Sequence, residues 1–102
     1  VTDINSVETE MINFNLSQNY PNPFNPSTKI SWQSPVNGWQ TLKVFDVLGK
    51  EVATLVDEYR PAGSYEIEFN PISSIKNLAS GIYFYQLRAG DFIETKKMIL
   101  IK

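Results

Sequence analysis

The sequence predicts an all-β protein, and three observations carry that prediction. Short stretches alternate apolar and polar residues, most plainly where Tyr65, Ile67 and Phe69 interleave with Ser64, Glu66 and Glu68. Clusters of Gly, Pro, Asn and Asp separate these stretches at roughly regular spacing. No segment sustains the 3.6-residue period of an amphipathic helix. The strand candidates suit an immunoglobulin-like antiparallel β-sandwich of about seven strands. The Cys–Trp–Cys signature of antibody domains is missing, so the likeness is one of architecture.

Taken in order, residues 1–13 read as a linker upstream of the folded domain, which spans 14–102. Val1 to Ile12 are mixed and acidic, with Asp3, Glu8 and Glu10 and no periodicity. Phe14-Asn-Leu16 alternates briefly, enough for a short first strand. Asn19 to Thr28 then carries Pro21, Pro23 and Pro26 between asparagines, which predicts a rigid loop whose Tyr20 and Phe24 plug the rim of a core. Ile30 and Trp32 face inward and Lys29, Ser31 and Gln33 outward. Pro35 to Gly38 turn the chain.

Leu42 and Val44 continue the inward set, with Thr41 and Lys43 outward. Phe45 falls on the outward parity, either as a cross-strand partner or under the Pro-rich loop. Gly49 supplies the positive φ of a tight turn into the return strand Glu51 to Val56. Asp57 to Ala62 read as a polar loop braked by Pro61. After Tyr65 to Phe69, Pro71 ends the strand, and Ile72 to Ser80 has room for one helical turn around Ile75 and Leu78. The last element is a hairpin about Ala89-Gly90-Asp91, with Tyr83, Tyr85 and Leu87 on the core parity. Its second strand runs into Met98, Ile99, Leu100 and Ile101, an apolar run at a place where domains usually end loose and polar.

Composition excludes most chemistries. The 102 residues carry a net charge of -2 with scattered charges, which gives no electrostatic footprint for nucleic acid or an anionic membrane. There is no Cys, hence no disulfide, thiolate nucleophile or soft metal site, and no His, the commonest general base and transition-metal ligand. The lack of Cys leaves the compartment undecided. No apolar run approaches the roughly 20 residues of a membrane span. Val1 without Met, and without a signal pattern, leads to the expectation that an upstream portion precedes this chain.

Glu66 and Glu68 share one strand face, where they are solvated neighbours rather than a pair flanking a cleft. Asp57-Glu58 and Asp91 do not make a calcium loop. There is no Ser–His pair and no phosphate-binding Gly-rich loop. The expectation is a non-enzyme that needs no cofactor or metal. Trp32, Trp39 and Tyr59 raise a carbohydrate-binding module as an alternative. Trp32 has core parity, so Trp39 after Gly38 would centre such a site.

Five blocks occur in one order: Asn22-Pro-Phe-Asn-Pro-Ser-Thr-Lys-Ile30, Leu42-Lys-Val-Phe-Asp-Val-Leu-Gly49, Gly63-Ser-Tyr65, Gly81-Ile-Tyr-Phe-Tyr-Gln-Leu87 and Lys96-Lys-Met98. The series resembles the type A C-terminal sorting domain of proteins exported by the type IX secretion system of Bacteroidota. The resemblance implies a β-sandwich tail that directs a larger, covalently fused passenger across the outer membrane. It implies passage through the periplasm, then release or display at the cell surface. The implied partners are the outer-membrane translocon and a sortase-like surface protease. That protease would cut within residues 1–13 and attach the passenger to an anionic lipopolysaccharide.

Carried over residue by residue, the resemblance implies recognition through Gly81, Tyr83, Leu87, Lys96, Lys97, Met98 and Lys102. Pro21, Asn22, Pro23, Gly49 and Gly63 support them. Each has a purely structural reading too. The glycines relieve turns, Tyr83 and Leu87 fill the core, and the lysines discourage edge pairing. A passive immunoglobulin-like spacer is the remaining alternative.

Overall fold

The computed structural model describes residues 13–71 and 78–102. Seven antiparallel strands form two sheets: β1 (Asn15–Leu16), β2 (Thr28–Ser34), β3 (Gly38–Phe45), β4 (Glu51–Arg60), β5 (Gly63–Phe69), β6 (Gly81–Ala89) and β7 (Phe92–Leu100). One sheet has the order β1-β2-β5 and the other β4-β3-β6-β7. This is the layered arrangement of immunoglobulin-like sandwiches, in which the chain changes sheets between hairpins.

The inward parity of both sheets makes one core. Leu16, Ile30 and Trp32 of the smaller sheet meet Leu42, Val44, Tyr85, Leu87, Met98 and Leu100 of the larger, each at 2% exposure or less. Each such side chain contributes about 1.5–3 kcal/mol of hydrophobic stabilisation. Trp32 is buried as its parity requires; its indole donates to Gln40 Oε1 at 2.9 Å and its ring stacks on Tyr65. Phe45 is the cross-strand partner of Phe84, which decides between its two predicted roles. Gly49 has φ +83, and Asp46 Oδ1 closes that turn by accepting from the N–H groups of Leu48 and Lys50.

Three expectations change. Asp57 to Arg60 are strand, not loop: β4 pairs with β3 from Phe45↔Glu51 to Gly38↔Arg60, leaving only Pro61 and Ala62 as connection. An edge strand that is wet on its outer side carries loop-like composition, so its pattern misleads. Tyr20 is 80% exposed, and Phe24 alone plugs the core. Ala89 is a strand residue paired with Phe92, so Gly90-Asp91 is a two-residue turn with Gly90 at φ +61, which suits a type II′ hairpin. Residues 72–77 lie outside the described residues, and with them the helical turn around Ile75; Leu78 packs on the core.

The register gives the sandwich two poles. Asn13, the β2–β3 connection, the β4–β5 connection and the Gly90 turn share the upstream pole. Leu100, Gly81, the Gly49 turn and Phe24 share the downstream pole. The chain therefore enters at one pole and finishes its last strand at the other.

Candidate recognition surface

The terminal hairpin is the outer half of the larger sheet. β6 lies between β3 and β7, so β7 is an edge strand. Its register with β6 runs without interruption from Ala89↔Phe92 to Gly81↔Leu100. An edge strand normally presents alternate unpaired N–H and C=O groups along its free side. Here the downstream half of that side is occupied by the Pro-rich segment.

Phe24 N–H donates to the Ile99 carbonyl and the Phe24 carbonyl accepts from Ile101 N–H, each at 2.9 Å. Asn22 Oδ1 accepts from Ile99 N–H at 2.9 Å, and the Gln18 side-chain amide donates to the Lys97 carbonyl at 2.8 Å. Residues 18–26 thus form a strap along β7. The Tyr20–Pro21, Asn22–Pro23 and Asn25–Pro26 peptide bonds in it are cis. Its base is fixed by Tyr85, whose hydroxyl donates to the Ser17 carbonyl at 2.7 Å and accepts from Asn19 N–H at 2.8 Å. Burial pushes the Tyr85 phenol up to about 12, with Glu94 adding to the rise and the backbone bond at Asn19 opposing it. Asn19 Nδ2 donates to Thr28 Oγ1, and Thr28 Oγ1 donates to the Pro21 carbonyl at 2.8 Å, which closes the strap on itself.

The uncovered half of β7 is protected differently. Glu94 and Lys96 lie on the same parity as Met98 and Leu100, so they face the core side at the sheet margin, and they pair at 3.4 Å. Inward-pointing charges on an edge strand make an added strand bury an ion pair, a recognised device against edge pairing. The other edge of this sheet, β4, has register breaks beside Leu42 and Val44 that bulge the strand.

The residues singled out from sequence fall into distinct groups. Leu87 and Met98 are fully buried, and Tyr83 is nearly so. The Tyr83 hydroxyl donates to the Ala79 carbonyl at 2.7 Å, the tyrosine corner of this architecture, and burial first and Asp46 second raise its pKa. Gly81 has φ +150 and Gly63 +157, conformations that side chains rarely adopt, and a Cβ at Gly81 would meet nothing within 4 Å. Its requirement is backbone shape, not space.

Lys96 is half-buried in its ion pair. Lys97 is exposed on the outer sheet face opposite Phe84. Lys102 is exposed, and its N–H donates to Ser80 Oγ. Asn22 is an edge cap, the Pro21 carbonyl is an acceptor inside the strap, and Pro23 is exposed. The structure therefore brings Asn22, Lys97 and Met98 together at β7 and keeps Gly49 and Gly63 at opposite poles. Gln18, Glu94 and Tyr85 were not among the sequence candidates. Counting parity back from Met98 identifies Glu94 as inward; nothing in the sequence marks Gln18.

Outward-facing residues on the larger sheet give a second surface. Phe45 and Phe84 pair across β3 and β6, and Ile82 and Ile99 pair across β6 and β7 one step on. These four apolar residues are contiguous at the downstream pole, with Lys97 beside them. At the upstream pole, Trp39 and Tyr59 are exposed cross-strand partners, the Trp39 indole donating to Asp57 at 2.7 Å. A pocket of about 170 Å³ lies beside Trp39, between Val36 and Gly90. Among the described residues no group of three or more His, Cys, Asp or Glu is placed to hold a metal ion, and no helix is long and apolar enough to cross a membrane.

Residues 18–102 match the family described as the secretion system C-terminal sorting domain. Comparison with curated proteins finds no match. Among solved structures, the fold is similar to dimeric latent PorU from Porphyromonas gingivalis, at TM-score 0.64 and 19% identity. That similarity covers 88% of this chain and 10% of the PorU chain, so it speaks to the fold alone.

Proposed function

The chain belongs to the secretion system C-terminal sorting domain family, the sorting signals of type IX secretion, and from that premise we propose that it is the export tag of a larger passenger fused upstream of residue 14. A domain of this family is a signal for secretion or surface display and not itself a catalyst. In the proposed mechanism the outer-membrane translocon docks on the folded domain, by way of the periplasm. A sortase-like protease then cuts within residues 1–13, and the passenger is released or joined to an anionic lipopolysaccharide.

The observation that carries this reading is the polarity of the sandwich. Upstream chain enters at one pole, where Phe14 stacks on Phe92 beside the Gly90 turn, while the terminal strand is completed at the other, so a passenger leaves the downstream end of the hairpin, Gly81 and Leu100, unobstructed. The test fuses residues 1–102 behind a reporter with a signal peptide, in a host that has the system. Deleting residues 81–102 should abolish export. Equal export of the deleted and intact fusions, with both soluble, overturns the proposal.

The exposed Trp39–Tyr59 pair favours one other reading, a carbohydrate-binding module. Calorimetry against a polysaccharide panel checks it, and that reading needs heat lost in Trp39→Ala.

A further inference from the structure

Resting on the export-tag reading, we infer that the signal is read on the outer face of the larger sheet at its downstream pole. The patch is Phe45, Ile82, Phe84 and Ile99 with Lys97, and it docks an apolar, acidic loop of a protein partner. Strand addition to β7 is the obvious rival, and the edge argues against it. From Lys97 to Ile101 the free side of β7 is already bonded to Gln18, Asn22 and Phe24. From Glu94 to Lys96 an added strand would cover an inward-facing ion pair. A partner would have to peel off the strap, with Phe24 drawn out of a core where it is 1% exposed.

The sheet face needs no such rearrangement. Its four apolar side chains occupy two adjacent cross-strand rows, Phe45–Phe84 and Ile82–Ile99. Ile82 is 41% exposed, and Leu48, 89% exposed, projects from the neighbouring turn at the same pole. Phe45, Phe84 and Ile99 around Ile82 are partly exposed, so the face offers a partner contiguous apolar area to bury without unfolding the domain. Three of the four patch residues come from the terminal hairpin, which ties the face to the element whose deletion is expected to stop export.

Charge sets the partner's chemistry. Lys97 faces Phe84 across the strands, and among the described residues no carboxylate lies within ion-pair distance of it. Nearby cations differ: Lys43 is paired with Glu51 at 3.4 Å and Lys96 with Glu94. An ammonium on the rim of an apolar patch fits an interface with an apolar centre and a complementary Asp or Glu at its margin.

The experiment uses the same reporter fusion. Ile82→Asp combined with Lys97→Glu should cut export about tenfold or more, the loss of one good contact at 1.4 kcal/mol per decade. Lys97→Glu alone should lower it by a smaller factor and Lys97→Arg should leave it intact. Trp39→Ala with Tyr59→Ala, at the other pole, should export normally. Thermal unfolding of the full chain selects variants within a few degrees of wild type; if the double variant unfolds, Lys97→Glu alone decides. Normal export of the stable face variants, with export lost on deleting 81–102, overturns the face while the export-tag reading stands. Export indifferent to both overturns that reading itself. Wild-type binding to phosphatidylethanolamine–phosphatidylglycerol vesicles that Ile82→Asp abolishes would make the patch a lipid contact and overturn the protein partner. Dimerisation in sedimentation abolished by Ile82→Asp would do the same in favour of a second copy.

Discussion

Tyr85 shows how much one side chain does for this surface. Its ring fills the core while its hydroxyl holds both Ser17 and Asn19, so the strap starts from a fixed point. Replacing it with Phe leaves the Asn19 N–H and Ser17 carbonyl without that partner and should cost about 1–3 kcal/mol, read as a lower midpoint in urea unfolding. The pH dependence follows from its titration. The folded state keeps the Tyr85 proton to about 12, whereas an unfolded tyrosine releases it near 10. Stability from this group is complete below about pH 10 and is lost as pH rises toward 12, by roughly 3 kcal/mol. Tyr83 shifts in the same direction. An alkaline unfolding series should show this decline, and Tyr85→Phe should make it shallower. From sequence Tyr85 reads as core by parity; its anchoring hydroxyl is not legible, because its partners are backbone groups 66 and 68 residues away.

The strap and the terminal strand define the element scale. Proline and asparagine announce a rigid loop, and Phe24 a core plug, both visible in the sequence. That the loop lies along β7 is a long-range pairing that no local pattern encodes. Asn22→Ala should speed amide hydrogen exchange at Ile99, its direct donor, with only a small change in global stability. The unstrapped half makes a separate prediction. Replacing Glu94 and Lys96 with valine removes the inward ion pair and leaves an apolar edge, so the variant should self-associate more strongly than wild type in sedimentation. Met98 is the counterexample that cautions against reading recognition from a motif. It sits in a block shared with Lys97, yet it is fully buried, and Met98→Ala should cost about 2–5 kcal/mol as a cavity in the core.

For the whole molecule, the sandwich and its strands were largely legible because antiparallel sheets with one wet face print their period on the sequence. The exception, Asp57 to Arg60, is an edge strand whose polar residues resemble a loop. The surface was less legible, since adjacency of Phe45, Ile82, Phe84 and Ile99 depends on register between three strands. The fold presents that surface at the pole away from the upstream chain, which is the geometry a tag requires and a passive spacer does not. The two readings separate when position is varied. The same 102 residues should be placed after a signal-peptide-bearing reporter in one fusion and between signal peptide and reporter in another, and the exported fraction of each measured. Export from the first arrangement and not the second is the predicted result; equal export from both would contradict the claim that this domain is a sorting signal.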